Sequence, residues 1–145
     1  QVLREMKTLI LFVLGSLIVA TAGFGRIQSA AVRGVLMCNG NPVVNVRVRF
    51  YDEDRTDFDD LMKEGVTDSQ GRFELHGYEH EFTEIDPVLK IYHNCNNEYV
   101  SRLRELSIVI PDNFISEGKH AERTFDIGTL NLAGIFKKDD YASLK

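Results

Sequence analysis

Tryptophan is absent from the 145 residues, proline occurs three times and cysteine twice, and acidic side chains outnumber basic ones by 22 to 17. So little proline excludes a Pro-rich linker protein. A net charge of −5 argues against a nucleic-acid-binding domain, which needs a basic surface to hold phosphates. No Cys-x-x-Cys is present, and no Cys/His group stands at zinc spacing. There is no Gly-x-Ser-x-Gly elbow for a serine nucleophile and no Asn-x-Ser/Thr acceptor for an N-glycan. Internal repeats, low-complexity tracts and a second long apolar run are also missing. What remains is ordinary globular composition, 43% hydrophobic and 27% charged, enough for one domain.

The one long apolar run lies near the N-terminus. Lys7 precedes a mostly apolar stretch from Thr8 to Val19, and Ala20-Thr21-Ala22 puts small residues at the two positions that signal peptidase inspects. This layout predicts a secretory signal over residues 1–22, cleaved after Ala22, with Met6 as initiator and residues 1–5 upstream of it. An uncleaved anchor is the competing reading, since the run to Phe24 reaches about seventeen residues, the short end of a membrane span. Gly15-Ser16 at its centre and the small-residue exit favour cleavage. Cleavage removes Arg4, Glu5 and Lys7, leaving a domain over 23–145 with a net charge of −6 and no expected membrane span. Secretion places Cys38 and Cys95 where disulfides persist, and a count of two allows one intrachain pair. Two free buried thiols, or one intermolecular bridge, are the alternatives.

Period-two patterning dominates the rest. Val32, Gly34, Leu36 and Cys38 share one parity before the turn Asn39-Gly40-Asn41-Pro42. Val44, Val46, Val48 and Phe50 alternate with Asn45, Arg47, Arg49 and Tyr51, which predicts a strand with one buried and one wet face. After the turn Asp68-Ser69-Gln70-Gly71, Phe73 and Leu75 resume the alternation, with Gly71 where a hairpin needs positive φ. Leu89, Ile91 and Cys95 share one side of a further strand, and Leu106, Ile108 and Ile110 alternate up to Pro111. Phe125 and Ile127 are followed by Leu130 and Leu132 on the opposite parity, so Gly128 predicts a bulge. Glu98 to Leu106 is ambiguous, with a weak helical period. About seven short strands at such spacing point to an all-β sandwich of immunoglobulin-like type.

Few residues suggest chemistry. His76, His80, His93 and His120 lie in no motif, and His76 and His80 would sit about 13 Å apart along a strand, too far for one metal. Reading the acidic run 52–60 as a calcium loop from Asp52 puts Asp57 where Gly is needed and Lys63 where Glu is needed, so the EF-hand register fails. A solvated charged loop is expected there, with an irregular carboxylate cage as the alternative. No metal or cofactor is assigned. On the clearest strand Arg47, Arg49 and Tyr51 line the wet face, and two guanidiniums about 7 Å apart suit a phosphate, a carboxylate or an acidic partner. Cross-strand pairing with Glu or Asp is the competing reading.

Several segments together carry a resemblance. They are Val32 to Cys38 with Gly40-Asn41-Pro42, Val46 to Asp54, Thr67 to Gly77, Pro87 to Asn96 with Cys95, and Thr124 to Leu132. Their order resembles the nematode transthyretin-like family of small secreted proteins over about residues 31–134. The resemblance implies a transthyretin-like sandwich and an extracellular, non-enzymatic binding module recognising a protein, a cell surface or a lipid. The alternative it implies is a carrier of a small hydrophobic ligand in a channel between subunits. The related 5-hydroxyisourate hydrolases use a first-strand His, and that position falls on Arg33, where vertebrate transthyretin carries a Lys at its channel mouth. Arginine stays protonated and cannot act as a general base. The ending Asp139-Asp140-Tyr141-Ala142-Ser143-Leu144-Lys145 also lacks the hydrolases' Tyr-Arg-Gly-Ser signature. Arg33, Arg47, Arg49 and Tyr51 are thus the candidate ligand-binding residues, and no catalytic residue is assigned.

Overall fold

The structure is a computed structural model that describes residues 1–7, 25–53, 58–96 and 103–134. Most of the expected leader, residues 54–57 of the acidic run and the first part of the ambiguous segment after Glu98 lie outside the described residues. Among the described residues nine strands follow in order: β1 (Arg26–Cys38), β2 (Asn41–Pro42), β3 (Arg47–Asp52), β4 (Asp60–Val66), β5 (Arg72–Glu81), β6 (Pro87–His93), β7 (Arg104–Val109), β8 (Ser116–Glu117) and β9 (Thr124–Asn131). A 3-10 turn spans Asp112–Phe114.

The fold is an all-β sandwich. One sheet is organised around the thirteen-residue β1. β5 pairs antiparallel along one side of it from Arg26 to Val35, and β2 pairs with its last two residues. On its other side β8 pairs antiparallel at Gln28 and Ser29, and β9 runs parallel from Ala31 to Met37. The second sheet is antiparallel in the order β4-β3-β6-β7. Val32, Leu36, Phe73 and Leu75 from the first sheet meet Val48, Phe50, Leu89, Ile91, Leu106 and Ile108 from the second to form one core, closed by Ile85, Ile110 and Leu132. The inward residues of β5, Phe73 and Leu75, and of β7, Leu106 and Ile108, are those the alternation predicts.

One expectation is corrected, one ambiguity is resolved and one bulge is found where it is expected. The alternating run from Val44 is not all strand: Asn45 takes a positive φ of 57°, Val44 is exposed, and pairing begins at Arg47. The ambiguous segment after Glu98 is extended from Arg104 onward, because Leu106 and Ile108 bury against β6 as strand residues. Residues Thr124–Asn131 form one strand with the irregularity expected at Gly128. The register against β1 shifts between Arg33 and Val35, where Gly128 has a φ of 70°.

β4 is a strand that no alternation reveals. Phe50 pairs with Lys63 and Tyr51 with Leu61, so Met62 is an extra residue and the period breaks in mid-strand. β4 leads into β5 across the sandwich rather than through a hairpin within one sheet. The two strands approach closely because glycines face the core there: a Cβ at Gly65 would stand 2.9 Å from Leu75 Cδ2, and one at Gly77 would stand 2.7 Å from Met62 Cβ.

The turn before β5 is fixed by Asp68, whose carboxylate accepts from the Gln70 amide at 2.9 Å and the Arg72 amide at 2.8 Å. These two amides, that of Arg72 foremost, hold the Asp68 carboxyl below its ordinary value. Gly71 has a φ of 74°, and its carbonyl accepts from the Leu36 amide at 2.8 Å. A Cβ at Gly71 would press into the Leu36 carbonyl oxygen. Gly71→Ala therefore combines a left-handed backbone with a main-chain clash. The expected loss is about 2 kcal/mol or more in urea denaturation.

Candidate functional site

Two outer faces hold the candidate side chains. On the first sheet, β1, β5 and β9 place Arg33, Glu74 and Asp126 in one cross-strand row. Arg33 Nε donates to Asp126 Oδ2 at 2.9 Å. Asp126 also accepts from the Gly128 amide at 2.8 Å, and that bond, followed by Arg33, holds its carboxyl low. The bulge at Gly128 thus sets the partner of Arg33. Around them lies a recess of about 420 Å³ lined by Arg33, Asp68, Arg72, Glu74 and Asp126 over Gly34, Val35 and Phe73. Five charged side chains make this a polar recess.

On the second sheet, Arg47 faces Val66 and Tyr92, Arg49 faces Glu64 and Lys90, and Tyr51 faces Leu61 and Val88. Arg49 Nε donates to Glu64, and its Nη1 to the Tyr51 hydroxyl at 3.3 Å. The hydrogen bond to Glu64, then that to Tyr51, holds the guanidinium even more firmly charged than usual. Arg49 also lies 5.6 Å from the Tyr92 ring centre, and Lys90 lies 4.8 Å from that of Tyr51. Burial pulls the Lys90 ammonium down, but Asp59, whose carboxylate accepts from Nζ at 2.6 Å, more than offsets this with help from Glu105 and Glu53. Tyr92 is pushed up to about 12, first by burial and then by the charge of Glu105. The arginines of the expected anion strip therefore differ. Arg49 is tied to Glu64, in line with the cross-strand reading, while Arg47 is exposed and makes no ion pair among the described residues.

Sequence reasoning reached Arg49 and Tyr51 but missed Lys90, Tyr92, Glu64 and Glu105, which complete the network. Lys90 and Tyr92 are the outward positions of a strand read only for its inward ones. That alternation was the available signal, but the register that sets them opposite β3 is a tertiary fact.

Cys38, at the end of β1, is bonded to Cys95, just beyond β6, so the disulfide joins the two sheets at one end. Beside it Asn39 Nδ2 donates to Asn96 Oδ1 at 2.7 Å, and His93, 3% exposed, accepts the Cys95 amide on Nδ1 at 3.2 Å. Burial, and secondarily the facing Arg104, lowers His93 from 6.5 to about 4. The folded state thus favours neutral His93. Its contribution is present above pH 6.5 and lost as pH falls toward 4, at about 1.4 kcal/mol per pH unit in that window. His93→Asn keeps an acceptor and is expected to flatten this part of a stability-against-pH curve. The other three histidines are exposed. Among the described residues no group of three His, Cys, Asp or Glu could hold a metal, and no helix is long and apolar enough to cross a membrane. Within the acidic run, Asp52 is buried and accepts the Asp86 amide at 2.7 Å, and Asp59 is bound to Lys90.

The model of the Transthyretin-like family matches residues 33–111. The chain belongs to the transthyretin-like family. Transthyretin-like protein 5 of Caenorhabditis elegans is 50% identical over 113 residues, 77% of this chain and 81% of its own. Transthyretin-like protein 46 of the same nematode is 42% identical over 132 residues, 90% of this chain and 74% of its own. Among solved structures, a 9R-lipoxygenase from Cyanothece is similar over 72% of this chain and 16% of its own, at 24% identity and a TM-score of 0.44. The segment that matches the transthyretin-like family holds both cysteines and the whole second sheet. It begins at Arg33 and stops before β9, so Asp126, which fixes Arg33, lies outside it.

Proposed function

We propose that this transthyretin-like chain is exported through a leader over residues 1–22 and works outside the cell as a non-enzymatic recognition module for an extracellular or cell-surface partner. The observation that carries the reading is the Cys38–Cys95 bond between the two sheets, a staple that persists in an oxidising compartment. Arg33, at the position where the hydrolases use histidine, is permanently charged and engaged by Asp126, which supports binding over base catalysis. The carrier reading draws no support from the recess beside Arg33, whose charged lining suits polar groups.

Expression of the full chain in an animal secretory system tests the proposal. The protein is expected in the medium with Gly23 at its N-terminus and with no thiol reactive to an alkylating probe before reduction. Retention inside the cell with both thiols reactive would overturn the extracellular reading. Turnover of 5-hydroxyisourate above the buffer rate would overturn the non-enzymatic one.

A further inference from the structure

Ser29 lies on β1 and faces away from the core, since Ala30 and Val32, on the opposite parity, are core residues. It is nevertheless fully buried, and its hydroxyl has no hydrogen-bond partner among the described residues. A buried hydroxyl in that state is destabilising, and native folds keep few of them. The cross-strand row through Ser29 runs from Tyr78 on β5 to Ser116 on β8. The adjoining outward positions are Ile27 and Ala31 on β1, His76 and His80 on β5, and Thr124 on β9. None of them is acidic, in a chain that is acidic overall.

The loop from β8 to β9 folds back onto the same row. The Gly118 amide donates to the Ile27 carbonyl at 2.8 Å, with Gly118 at a φ of 85°, and the Ser116 hydroxyl accepts from the Glu122 amide at 3.0 Å. Between these two pins stands Lys119, whose Nζ is 5.4 Å from the centre of the Tyr78 ring. β8 and β5 flank β1 on opposite sides, so a lysine that starts beyond β8 and ends at Tyr78 crosses β1 at Ser29. Its ammonium forms no ion pair among the described residues. A cation without a counter-charge above a hydroxyl without an acceptor supplies both parts of an oxyanion site, the charge and the donated hydrogen bond. A lysine ammonium is a compact charge with three donors on a flexible stem, which suits a small ion better than a planar bidentate group.

We propose that Ser29 and Lys119 form a binding site for a small tetrahedral oxyanion, sulfate or inorganic phosphate. Lys119 is the cover of the site: its stem swings off the Tyr78 ring to admit the ion, and its ammonium then holds the ion against the Ser29 hydroxyl, which donates to one of its oxygens. The depth of Ser29 beneath that stem favours a free ion over the headgroup of a lipid surface. Arg33 and its recess lie further along the same face of β1 and take no part. The site does not depend on where the protein works, so it stands or falls apart from the extracellular reading.

The test titrates sodium sulfate or sodium phosphate into the purified disulfide-bonded chain, at an ionic strength held constant with sodium chloride, and follows amide spectra and melting curves. Saturable shifts are expected at Ser29, Tyr78 and residues 117–120, with a rise in melting temperature. Lys119→Met keeps the stem and removes the charge, and Ser29→Ala removes the hydroxyl beside Ala30 and Ala31. Each is expected to weaken binding about tenfold or more, the usual effect of losing a hydrogen bond to a charged group. Without either ion, Ser29→Ala should melt no lower than the wild type, because it removes an unpaired buried hydroxyl. Sulfate also stabilises folded proteins by exclusion from their surface, so the rise that both variants lose is the decisive part. An equal rise in all three proteins, shifts that do not saturate, shifts centred on Arg33 and Arg72, or a Ser29→Ala chain that melts lower yet binds as well would overturn the proposal. So would shifts produced by vesicles bearing phosphatidic acid but not by the free ions, which would assign the row to a lipid headgroup instead.

Discussion

Cys38→Ala/Cys95→Ala is expected to lower stability by about 4 kcal/mol, on the chain-entropy account of a cross-link that closes a loop of 57 residues. For a domain of this size the melting temperature should fall by about 15 °C. The effect is large because of where the bond lies. It joins the end of β1 in one sheet to the residues after β6 in the other, and no hydrogen-bond ladder crosses between those sheets. The Asn39–Asn96 contact ties the same place but is exposed and adds little. Thermal and urea denaturation of the oxidised protein, the reduced protein and the double variant would measure the loss. The reduced wild type and the double variant should agree to within about 1 kcal/mol, since truncating one buried and one half-buried sulfur leaves a small cavity. A loss below about 1 kcal/mol would show that the unfolded chain is already compact around the two cysteines.

Phe50→Ala should cost a similar amount, about 4 kcal/mol. Phe50 is fully buried in β3, a central strand of the second sheet, and its ring meets the other sheet at Gly77, where a Cβ would come within 3.2 Å of Phe50 Cδ1. A glycine backbone on one side and a paired strand on each flank leave the site little freedom to collapse, which places the cost near the top of the usual range. Phe50→Leu keeps most of the volume and should cost about 1–2 kcal/mol. Urea unfolding with an unchanged m-value would tie the difference to the folded state. Equal losses for the two variants would mean that the ring's shape, rather than its volume, is what the core requires.

Alternation made inward residues of β1, β5, β6 and β7 readable from the sequence, most cleanly in β5, which buries one face and wets the other, and least in β1, where Gln28 to Val32 are all buried. It failed where geometry breaks the period. Met62 is an extra residue in β4, so no pattern announced that strand, and the positive φ of Asn45 ended the apparent run that began at Val44. Gly128 broke the period too, but there the parity switch itself was the signal. The candidate surfaces were legible only in part. Arg49 and Tyr51 could be named from one strand, but Glu64, Lys90 and Tyr92 reach them only through the pairing of β3 with β4 and β6.

The residue order by itself determined which side chains turn inward along the strands that alternate, where Gly71 must bend the chain, and which two sulfurs were available to bond. Those are local matters, set by side-chain polarity at period two and by the steric limits of single residues. The tertiary structure alone decided that β4 and β5 fall in different sheets, that β9 runs parallel beside β1 so that Asp126 meets Arg33, and that Lys90 and Tyr92 stand beside Tyr51 and Arg49. Each of these joins residues far apart in the chain, and such contacts are chosen by how two whole sheets bury one core rather than by any local preference of the residues that meet.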